Sequence, residues 1–186
     1  MERFVALLHL RSGEQNLISA STLATIWARH IVDSAQLVEL APSKGNWVDL
    51  GSGAGFPGLI VAVIGERPVT LVEPRAKRAA FLHEAAVALG VEHHVRINAT
   101  RVETVAPGPT AVISARAFAP LPRLFDVAQH LADAGTLWVL PKGRSAVEEL
   151  DAARRTWHCE TQVVPSITDP AAAIIVATNV RRREPR

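Results

Sequence analysis

The sequence predicts an α/β protein with a mostly parallel, seven-stranded sheet that carries helices on both faces. After position 42, short apolar runs typical of strands alternate with longer segments of helical period. Such alternation indicates parallel strands joined by right-handed crossovers. The first apolar run ends in a glycine-rich loop, which is where open α/β sheets bind their ligands. Before position 42, apolar residues recur every three or four positions, so a helical extension is expected there.

The strand and helix bounds follow from these periods and from the turn residues between them. Pro57 near one helix start and Gly90 just after another helix end fit the usual places of proline and glycine. We expect the last two strands to form a hairpin-like pair at one edge of the sheet. The predicted strands are 46–50, 69–73, 95–98, 110–114, 136–140, 158–164 and 173–179, and the predicted helices are 2–10, 20–41, 57–64, 75–89, 121–132 and 145–155.

Length and composition fit one folded domain. The chain has 186 residues, of which 48% are apolar, and a formal net charge of +2. We divide it into a helical extension (1–42), a core (43–180) and a basic tail (181–186). No apolar run approaches the ~20 residues of a membrane span, and the first ten residues do not resemble a secretion signal.

The cysteine and histidine content limits the chemistry further. A single cysteine, Cys159, excludes a disulfide framework and suits a reducing compartment, so a cytoplasmic protein is expected. The seven histidines show no metal-ligand spacing. We therefore expect no metal and no membrane partner, and a monomer is the expected oligomeric state.

The glycine-rich loop, 51–58, fits two cofactor classes. Gly53, Gly55 and Gly58 match a dinucleotide fingerprint, with Glu73 where a ribose-binding acid is expected. Read from Gly51, the same loop resembles the first motif of class I S-adenosylmethionine methyltransferases. Asp49 favours the second interpretation, since a carboxylate beside the loop would repel a pyrophosphate but not a sulfonium and an ammonium. A ligand-free tight turn is the third interpretation.

Two basic clusters stand out against the small net charge. Arg75, Lys77 and Arg78 lie in the predicted first turn of helix 75–89, where the helix dipole disfavours cations. We interpret them as contacts to RNA phosphates, with solvated surface charges as the alternative. The other cluster, Arg181–Arg183 with Arg186, is interpreted first as a solvated, frayed end.

Several segments, in order along 16–149, resemble one family. The chain is similar to the bacterial small-subunit ribosomal RNA guanine-N7 methyltransferases, also called the glucose-inhibited division protein B family. The two segments that make the match specific are 29–34 (Arg-His-x-x-Asp-Ser) and 114–119 (Ser-Ala-Arg-Ala-Phe-Ala). The others are Asn16-Leu17-x-Ser19, the loop from Asp49 to Gly58, Lys77-Arg78-x-x-Phe81-Leu82, Arg101-Val102-Glu103 and Lys142-Gly143.

This resemblance implies a class I, Rossmann-like fold and transfer of a methyl group from S-adenosylmethionine to N7 of one guanine in 16S rRNA. The acceptor guanine would lie in a decoding-region loop of the small ribosomal subunit. The donor-binding residues implied by the resemblance are Gly51, Gly53, Phe56, Glu73, Val102, Glu103 and Arg116. The implied RNA-side residues are Arg29, His30, Asp33 and Lys142, to which the cluster of Arg75, Lys77 and Arg78 is added.

Three of the donor-side residues also have a purely structural interpretation. Phe56 fits a core position, Glu103 fits an exposed helix start, and Arg116 fits an ion pair with Glu73 or Asp49. Because guanine N7 carries a lone pair and no proton, no catalytic acid or base is predicted. Two other functions remain open at this point: an RNA-binding module without catalysis and a nicotinamide-dependent oxidoreductase.

Overall fold

The computed structural model describes residues 1–184 and contains one seven-stranded sheet, which confirms the predicted fold class. Each predicted strand is present, with bounds that differ by a few residues at most. In chain order the strands are β1 (Trp47–Leu50), β2 (Val69–Val72), β3 (Val95–Asn98), β4 (Val112–Ala115), β5 (Leu137–Lys142), β6 (Trp157–Pro165) and β7 (Ala173–Arg182).

The strand order is β3-β2-β1-β4-β5-β7-β6. The first five strands are parallel, while β7 runs antiparallel between β5 and β6. The hairpin-like pair predicted at one edge is therefore confirmed. Lys142 at the end of β5 pairs with Ala173 at the start of β7. We call the edge where β1 to β5 end and β7 begins the carboxyl edge, and the opposite one the amino edge.

The helices cover both faces of the sheet. Helix α6 is shorter than predicted, because a 3₁₀ turn, Gln129–Leu131, replaces the last turn of the expected helix 121–132. The full set is α1 (Glu2–Gln15), α2 (Ala20–Leu23), α3 (Asp33–Ala35), α4 (Gly58–Gly65), α5 (Ala76–Leu89), α6 (Leu121–Ala128) and α7 (Ala146–Arg154).

The N-terminal extension differs from the prediction. Helix α1 runs to Gln15 and ends where Asn16 adopts a left-handed conformation, φ 49°. The single helix expected over 20–41 is wrong: α2 is followed by a π-helical turn, Trp27–Val32, then α3 and a 3₁₀ turn. The hydroxyl of Ser34 donates to the His30 carbonyl at 2.5 Å, so a side chain competes with the helical backbone pattern here.

Two apolar cores lie on the two faces of the sheet. On one face, Trp47 and Leu71 pack against α1, α4 and α5, as alternation along a strand requires. On the other face, Leu50 and Trp138 pack against α6 and α7. Asp49 points into the first core from between these apolar neighbours and is fully buried.

The basic tail was predicted to begin at Arg181, but β7 continues to Arg182. Arg181 and Arg182 are the last residues of β7, and the amide of Arg183 donates to the Thr156 carbonyl at 2.9 Å. Arginines 181–183 are thus held by strand pairing, which corrects the interpretation as a frayed end. Arg186, the last residue of the predicted cluster, lies outside the described residues.

Neither a spanning helix nor a metal-ligand cluster occurs in residues 1–184. No helix there combines the length and apolar character needed to cross a membrane. The same residues contain no group of three or more histidine, cysteine, aspartate or glutamate side chains that could hold a metal ion.

Candidate active site

The glycine loop leaves the carboxyl edge of the sheet between β1 and α4. Gly51, Gly53 and Gly55 all have positive φ, at 67°, 55° and 92°, a backbone that residues with a Cβ rarely adopt. At Gly58 an added Cβ would lie 2.3 Å from Leu71 Cδ2. The loop thus depends on glycine both for its turns and for the close packing of α4 on the sheet.

Asp49 anchors this loop from beneath. Its carboxylate accepts from Ser114 Oγ at 2.6 Å and from the Gly58 amide at 3.2 Å. Ser114 Oγ in turn accepts from Trp47 Nε1 at 2.8 Å. Burial raises the pKa of Asp49 to about 6. The carboxylate that favoured a methyl donor over a dinucleotide therefore holds β1, β4 and α4 together and does not reach the surface of the loop.

Glu73 lies directly after β2 and closes one side of the glycine loop. Its Oε2 accepts from the Gly53 amide and its Oε1 from the Arg75 amide, both at 3.0 Å. The side chain is buried at 4% exposure. A carboxylate has about four lone-pair sites, so each oxygen keeps capacity for a further donor such as a hydroxyl.

Val102 and Glu103 occupy a 3₁₀ turn that follows β3 at the carboxyl edge. Val102 is buried among the apolar residues on the α6 side of the sheet. Glu103 is at the surface, with Oε1 3.4 Å from Arg101 Nη2 and 3.7 Å from Arg123 Nη2. The two predicted residues therefore present an apolar wall and an acidic rim next to the end of β3.

The Phe56 side chain packs in the core below the loop. It is 3% exposed, and its ring centroid lies 5.5 Å from that of Phe4 and 4.9 Å from that of His30. The His30 ring is stacked on it with an interplanar angle of 22°. Phe56 therefore supports His30 and occupies the core position that was its structural alternative.

A cavity of about 520 Å³ opens at the carboxyl edge beside the glycine loop, a size typical of small-molecule sites. The segment after β4, the end of β5, the N-terminal extension and the β6–β7 turn form its walls. The polar lining side chains are Arg29, His30, Asp33, Arg116, Lys142, Glu149, Thr22, Ser166, Thr168 and Asp169.

Arg116 is at the centre of a charged network in this cavity. Its Nη1 lies 3.6 Å from Asp33 Oδ2 and donates to the Arg29 carbonyl at 3.2 Å. Its Nη2 lies 2.8 Å from His30 Nδ1, and its guanidinium carbon lies 5.2 Å from the Phe56 ring centroid. The structural alternative for Arg116 was an ion pair with Glu73 or Asp49, but its partner is Asp33, which the helical extension brings to the carboxyl edge.

His30 is neutral near pH 7 and has one tautomer. Burial, with the Arg116 guanidinium next in importance, lowers its pKa to about 4. Since a guanidinium only donates, His30 Nδ1 accepts from Arg116 and the proton resides on Nε2. Nε2 is buried and has no hydrogen-bond partner among residues 1–184. A buried donor without a partner costs about 1–3 kcal/mol.

Lys142 and Asp33 are also held by partners. Lys142 Nζ donates to Glu149 Oε2 at 2.7 Å and to the Ala119 carbonyl at 3.0 Å. Asp33 Oδ1 accepts from Thr168 Oγ1 at 2.7 Å and from Gln36 Nε2 at 2.9 Å. The charges of the cavity are therefore positioned by local partners together with distant ones, Ala119 for Lys142 and Thr168 for Asp33.

Phe118 lies between the cavity and the glycine loop. It is 36% exposed, and its Cδ2 would lie 2.6 Å from a Cβ added at Gly51. The preceding residue, Ala117, has φ 50°, an unfavourable backbone for alanine that is typical of functional turns. Phe118 lies within the 114–119 motif, but the sequence pattern predicts no role for it.

The predicted residues separate into two groups. Arg29, His30, Asp33 and Lys142 meet in the cavity, and Arg116, predicted on the donor side, joins them there. Arg75, Lys77 and Arg78 lie at the start of α5 next to Glu73 and do not line this cavity. The supporting residues Ser114, Thr168 and Glu149 were missed, because each acts through a partner at least seven positions away in sequence.

Comparison with known proteins places this site in a family. The model of the GidB family, described as rRNA small subunit methyltransferase G, matches residues 1–174. The chain belongs to this family. It is an S-adenosylmethionine-dependent methyltransferase, so the predicted enzyme class and cofactor are confirmed.

Curated family members align along nearly the whole chain. A protein of Rhizorhabdus wittichii named ribosomal RNA small subunit methyltransferase G is 51% identical over 186 residues, which cover 98% of this chain and 86% of that protein. The protein of the same name from Gluconobacter oxydans is 42% identical, over 98% of this chain and 93% of its own.

Solved structures with a similar fold are distant in sequence. A mutant of MtNAS in complex with S-adenosylmethionine has a TM-score of 0.67 at 16% identity, covering 94% of this chain and 72% of that chain. TYW2 of P. horikoshii in complex with MeSAdo has a TM-score of 0.63 at 16% identity. The alignment covers 81% of this chain and 62% of the TYW2 chain, which is less than two thirds. At this level of identity the likeness concerns the fold.

Proposed function

We propose that this methyltransferase transfers the methyl group of S-adenosylmethionine to N7 of one guanine in 16S rRNA, in a decoding-region loop of the small ribosomal subunit. The relatives named ribosomal RNA small subunit methyltransferase G support the RNA class. The observation that carries the proposal is the position of Phe118, an exposed aromatic ring between the glycine loop and a polar cavity.

The donor half fits S-adenosylmethionine through the residues predicted for it. Around Gly53 nothing lies closer than 3.7 Å to an added Cβ, so a ligand can approach the backbone of the loop there. Glu73 is the acceptor for ribose hydroxyls, and Val102 and Glu103 border the adenine. When bound, the cofactor supplies a methyl group made electrophilic by a sulfonium.

The acceptor half fits a purine. Enzymes that act on a base take it out of the stack and hold it between aromatic or apolar side chains. Phe118 supplies such a ring, and Arg116, Asp33 and Lys142 supply polar groups around it. A guanine seated on Phe118 lies beside Gly51, where the donor half begins.

The chemistry requires orientation and no proton transfer to the enzyme. The N7 lone pair forms the new bond to the methyl carbon, the carbon–sulfur bond breaks with its electrons left on sulfur, and positive charge moves to the purine. Correct placement of the reacting atoms can contribute several kcal/mol. The paired network of Arg116, Asp33 and His30 supports this role, because it fixes side chains without leaving a free base.

The RNA contacts near the donor half are assigned to Arg75, Lys77 and Arg78. Arg75 and Lys77 are exposed, and none of the three forms an ion pair within residues 1–184. Phosphate oxygens of the RNA would complement them. The expected compartment is the cytoplasm, where ribosomal RNA is located, and a metal-free monomer remains the prediction.

A methyl-transfer assay on small subunits that lack the modification tests this function. With a labelled methyl donor, we expect one methyl group per subunit, found as N7-methylguanosine when the digested 16S rRNA is analysed by mass spectrometry. A methyl group at another atom would contradict the assignment to N7. If no rRNA nucleoside carries the label, the assignment of 16S rRNA as the substrate is wrong.

Two titrations separate this function from the alternatives. S-adenosylhomocysteine should bind with micromolar affinity, and NAD should not bind. This result would argue against a nicotinamide-dependent oxidoreductase. An RNA-binding module without catalysis would bind the small subunit and S-adenosylhomocysteine but give no labelled nucleoside.

A further inference from the structure

A second basic surface lies at the amino edge of the sheet, on the side opposite the candidate active site. Five arginines from the ends of α7 and β7 form it together with His158 of β6. We call it the arginine surface, and its arginines are Arg154, Arg155, Arg181, Arg182 and Arg183.

Strand pairing builds this surface from two distant segments. His158 pairs with Arg181 and Trp157 with Arg182, so the end of β7 lies beside the start of β6. Helix α7 ends at Arg154, just before β6 begins, and adds its last cations to the same place. The cationic side chains at 154–155 and 181–183 are therefore neighbours in the fold.

The charge of the surface is only partly neutralised. Arg154 lies 3.3 Å from Asp151 Oδ1, Arg182 pairs with Asp126, and Glu184 borders the surface. Arg155 and Arg181 are exposed, and within residues 1–184 neither side chain has an acidic or hydrogen-bonding partner. Net positive charge thus remains on a small area of a molecule whose formal charge is only +2.

Several of these side chains are held in place. The Arg182 guanidinium carbon lies 5.2 Å from the Trp157 ring centroid, and Arg183 Nε donates to the Trp157 carbonyl at 3.0 Å. Such contacts reduce the conformational entropy that these side chains lose on binding. The surface is therefore more ordered than solvated arginines on a frayed end.

The β6–β7 hairpin joins the arginine surface to the candidate active site. Its turn supplies Ser166, Thr168 and Asp169 to the cavity. Its other end carries Arg181 and Arg182. A strand of this length spans about 30 Å at roughly 3.3 Å per residue, and β6 is the free edge of the sheet. One ligand that extends along this edge can contact both places.

We propose that the arginine surface binds the phosphate backbone of a ribosomal RNA segment distant from the methylated nucleotide. This inference rests on the proposed function, because it takes ribosomal RNA as the substrate. Arginine is well suited to phosphate, since its planar guanidinium can donate two parallel hydrogen bonds. The backbone contacts orient the RNA and the base contacts in the cavity select the nucleotide, as is usual in nucleic-acid recognition.

The test is the salt dependence of binding to transcribed, full-length 16S rRNA. The variant R155Q/R181Q removes the two arginines without side-chain partners. At 0.15 M KCl, we expect its dissociation constant to rise three- to tenfold. The slope of log K against log salt should decrease by about 1.4–1.8, since each lost phosphate contact contributes roughly 0.7–0.9.

Matched variants separate charge from folding. R155K/R181K keeps both charges and should retain the wild-type salt slope. R3Q/R96Q removes two exposed arginines from α1 and from the other edge strand, β3, and should bind as the wild type does. Equal dissociation constants and slopes for R155Q/R181Q and the wild type would overturn the proposal.

A short RNA that contains only the target loop tests the distant position of the contact. On this RNA, R155Q/R181Q should equal the wild type in both affinity and methyl transfer. An equal loss of affinity on the short and the full-length RNA would overturn the distant contact. A wild-type enzyme that methylates neither RNA nor small subunits would instead contradict the proposed function. Strong binding to an acidic protein with no change on RNA would also count against the proposal.

Discussion

The cations in the two halves of the carboxyl edge differ in burial and in pairing. In the acceptor half, Arg116 and Lys142 are largely buried and each has a carboxylate partner, Asp33 and Glu149. In the donor half, Arg75 and Lys77 are exposed and form no ion pair within residues 1–184. Exposed cations attract RNA over a distance, whereas paired and buried ones keep a fixed geometry. Under the proposed function, the edge thus separates attraction of the RNA from positioning of the acceptor base.

The largest effect is expected from Arg116→Met, which removes the centre of the acceptor network. His30 Nδ1 and Asp33 would lose their shared partner, and the acceptor would be misplaced. We expect kcat/KM for methyl transfer to fall by about 100-fold or more, with the dissociation constant of S-adenosylhomocysteine unchanged within about threefold. Kinetics on small subunits and calorimetry measure the two quantities.

R96M serves as the control for this prediction, because Arg96 is exposed on the edge strand β3. It should match the wild type in both measurements. A loss of S-adenosylhomocysteine affinity in R116M that parallels the loss of activity would return Arg116 to the donor half, where the sequence placed it.

An intermediate effect is expected from Ser114→Ala, which breaks the buried chain from Trp47 through Ser114 to Asp49. The loss of these bonds should lower the free energy of unfolding by about 2 kcal/mol at pH 7.5. Because the pKa of folded Asp49 lies above its ordinary value, the folded state binds more protons between about pH 4 and 6. Stability from this group therefore falls as pH rises through that window.

Removing the Ser114 donor raises the pKa of Asp49 further and extends this window above pH 6. The destabilisation of S114A should therefore be larger at pH 7.5 than at pH 5, as measured by urea unfolding. His30, whose pKa is lowered, contributes the opposite slope between about pH 4 and 6.5, but it is common to both proteins and cancels in the difference. Asp49→Asn should abolish the pH dependence of the S114A effect, and an equal effect at both pH values would contradict this account.

The smallest effect is expected from R75Q/K77Q in the donor half. These exposed charges contribute attraction, so affinity for 16S rRNA should weaken about threefold, and the salt slope should decrease by roughly 1.4–1.8. S-adenosylhomocysteine binding should stay within twofold of the wild type. Filter binding across a KCl series measures the slope, with R3Q/R96Q as the control of equal charge. An unchanged slope would mean that the two side chains are only solvated.

Local pattern was enough to predict the framework of this enzyme. The strand and helix alternation after position 42 gave the sheet and its edge hairpin, and the glycine loop gave the donor side. The prediction was wrong over 20–41, where apolar spacing indicated one helix. A π-helical turn and short helical segments occur there. Contacts to Arg116, just after β4, and to the β6–β7 turn hold His30 and Asp33 in place and override helix propensity.

For Asp49 and Arg116, the sequence indicated the correct cofactor class or position, but the contacts of these side chains differ from those expected. Asp49 indicated a methyl donor on grounds of charge, yet its carboxylate is bound to Ser114 and Gly58 beneath the loop. Arg116 was expected at the carboxyl end of β4, and it lies directly after that strand. Its partners came from the N-terminal extension more than 80 positions earlier, and spacing in sequence contains no information about such pairs.

The sequence by itself determined the α/β fold, the family and the glycine loop, because these depend on periodicity, turn chemistry and contiguous motifs. Only the tertiary structure decided that Arg116 contacts His30 and Asp33, that Phe118 lies against Gly51, and that Arg155 and Arg181 share one surface. The physical reason is that charge pairing and ring packing act over a few ångströms in space. Strand order and the path of the extension, not distance along the chain, determine which side chains come that close.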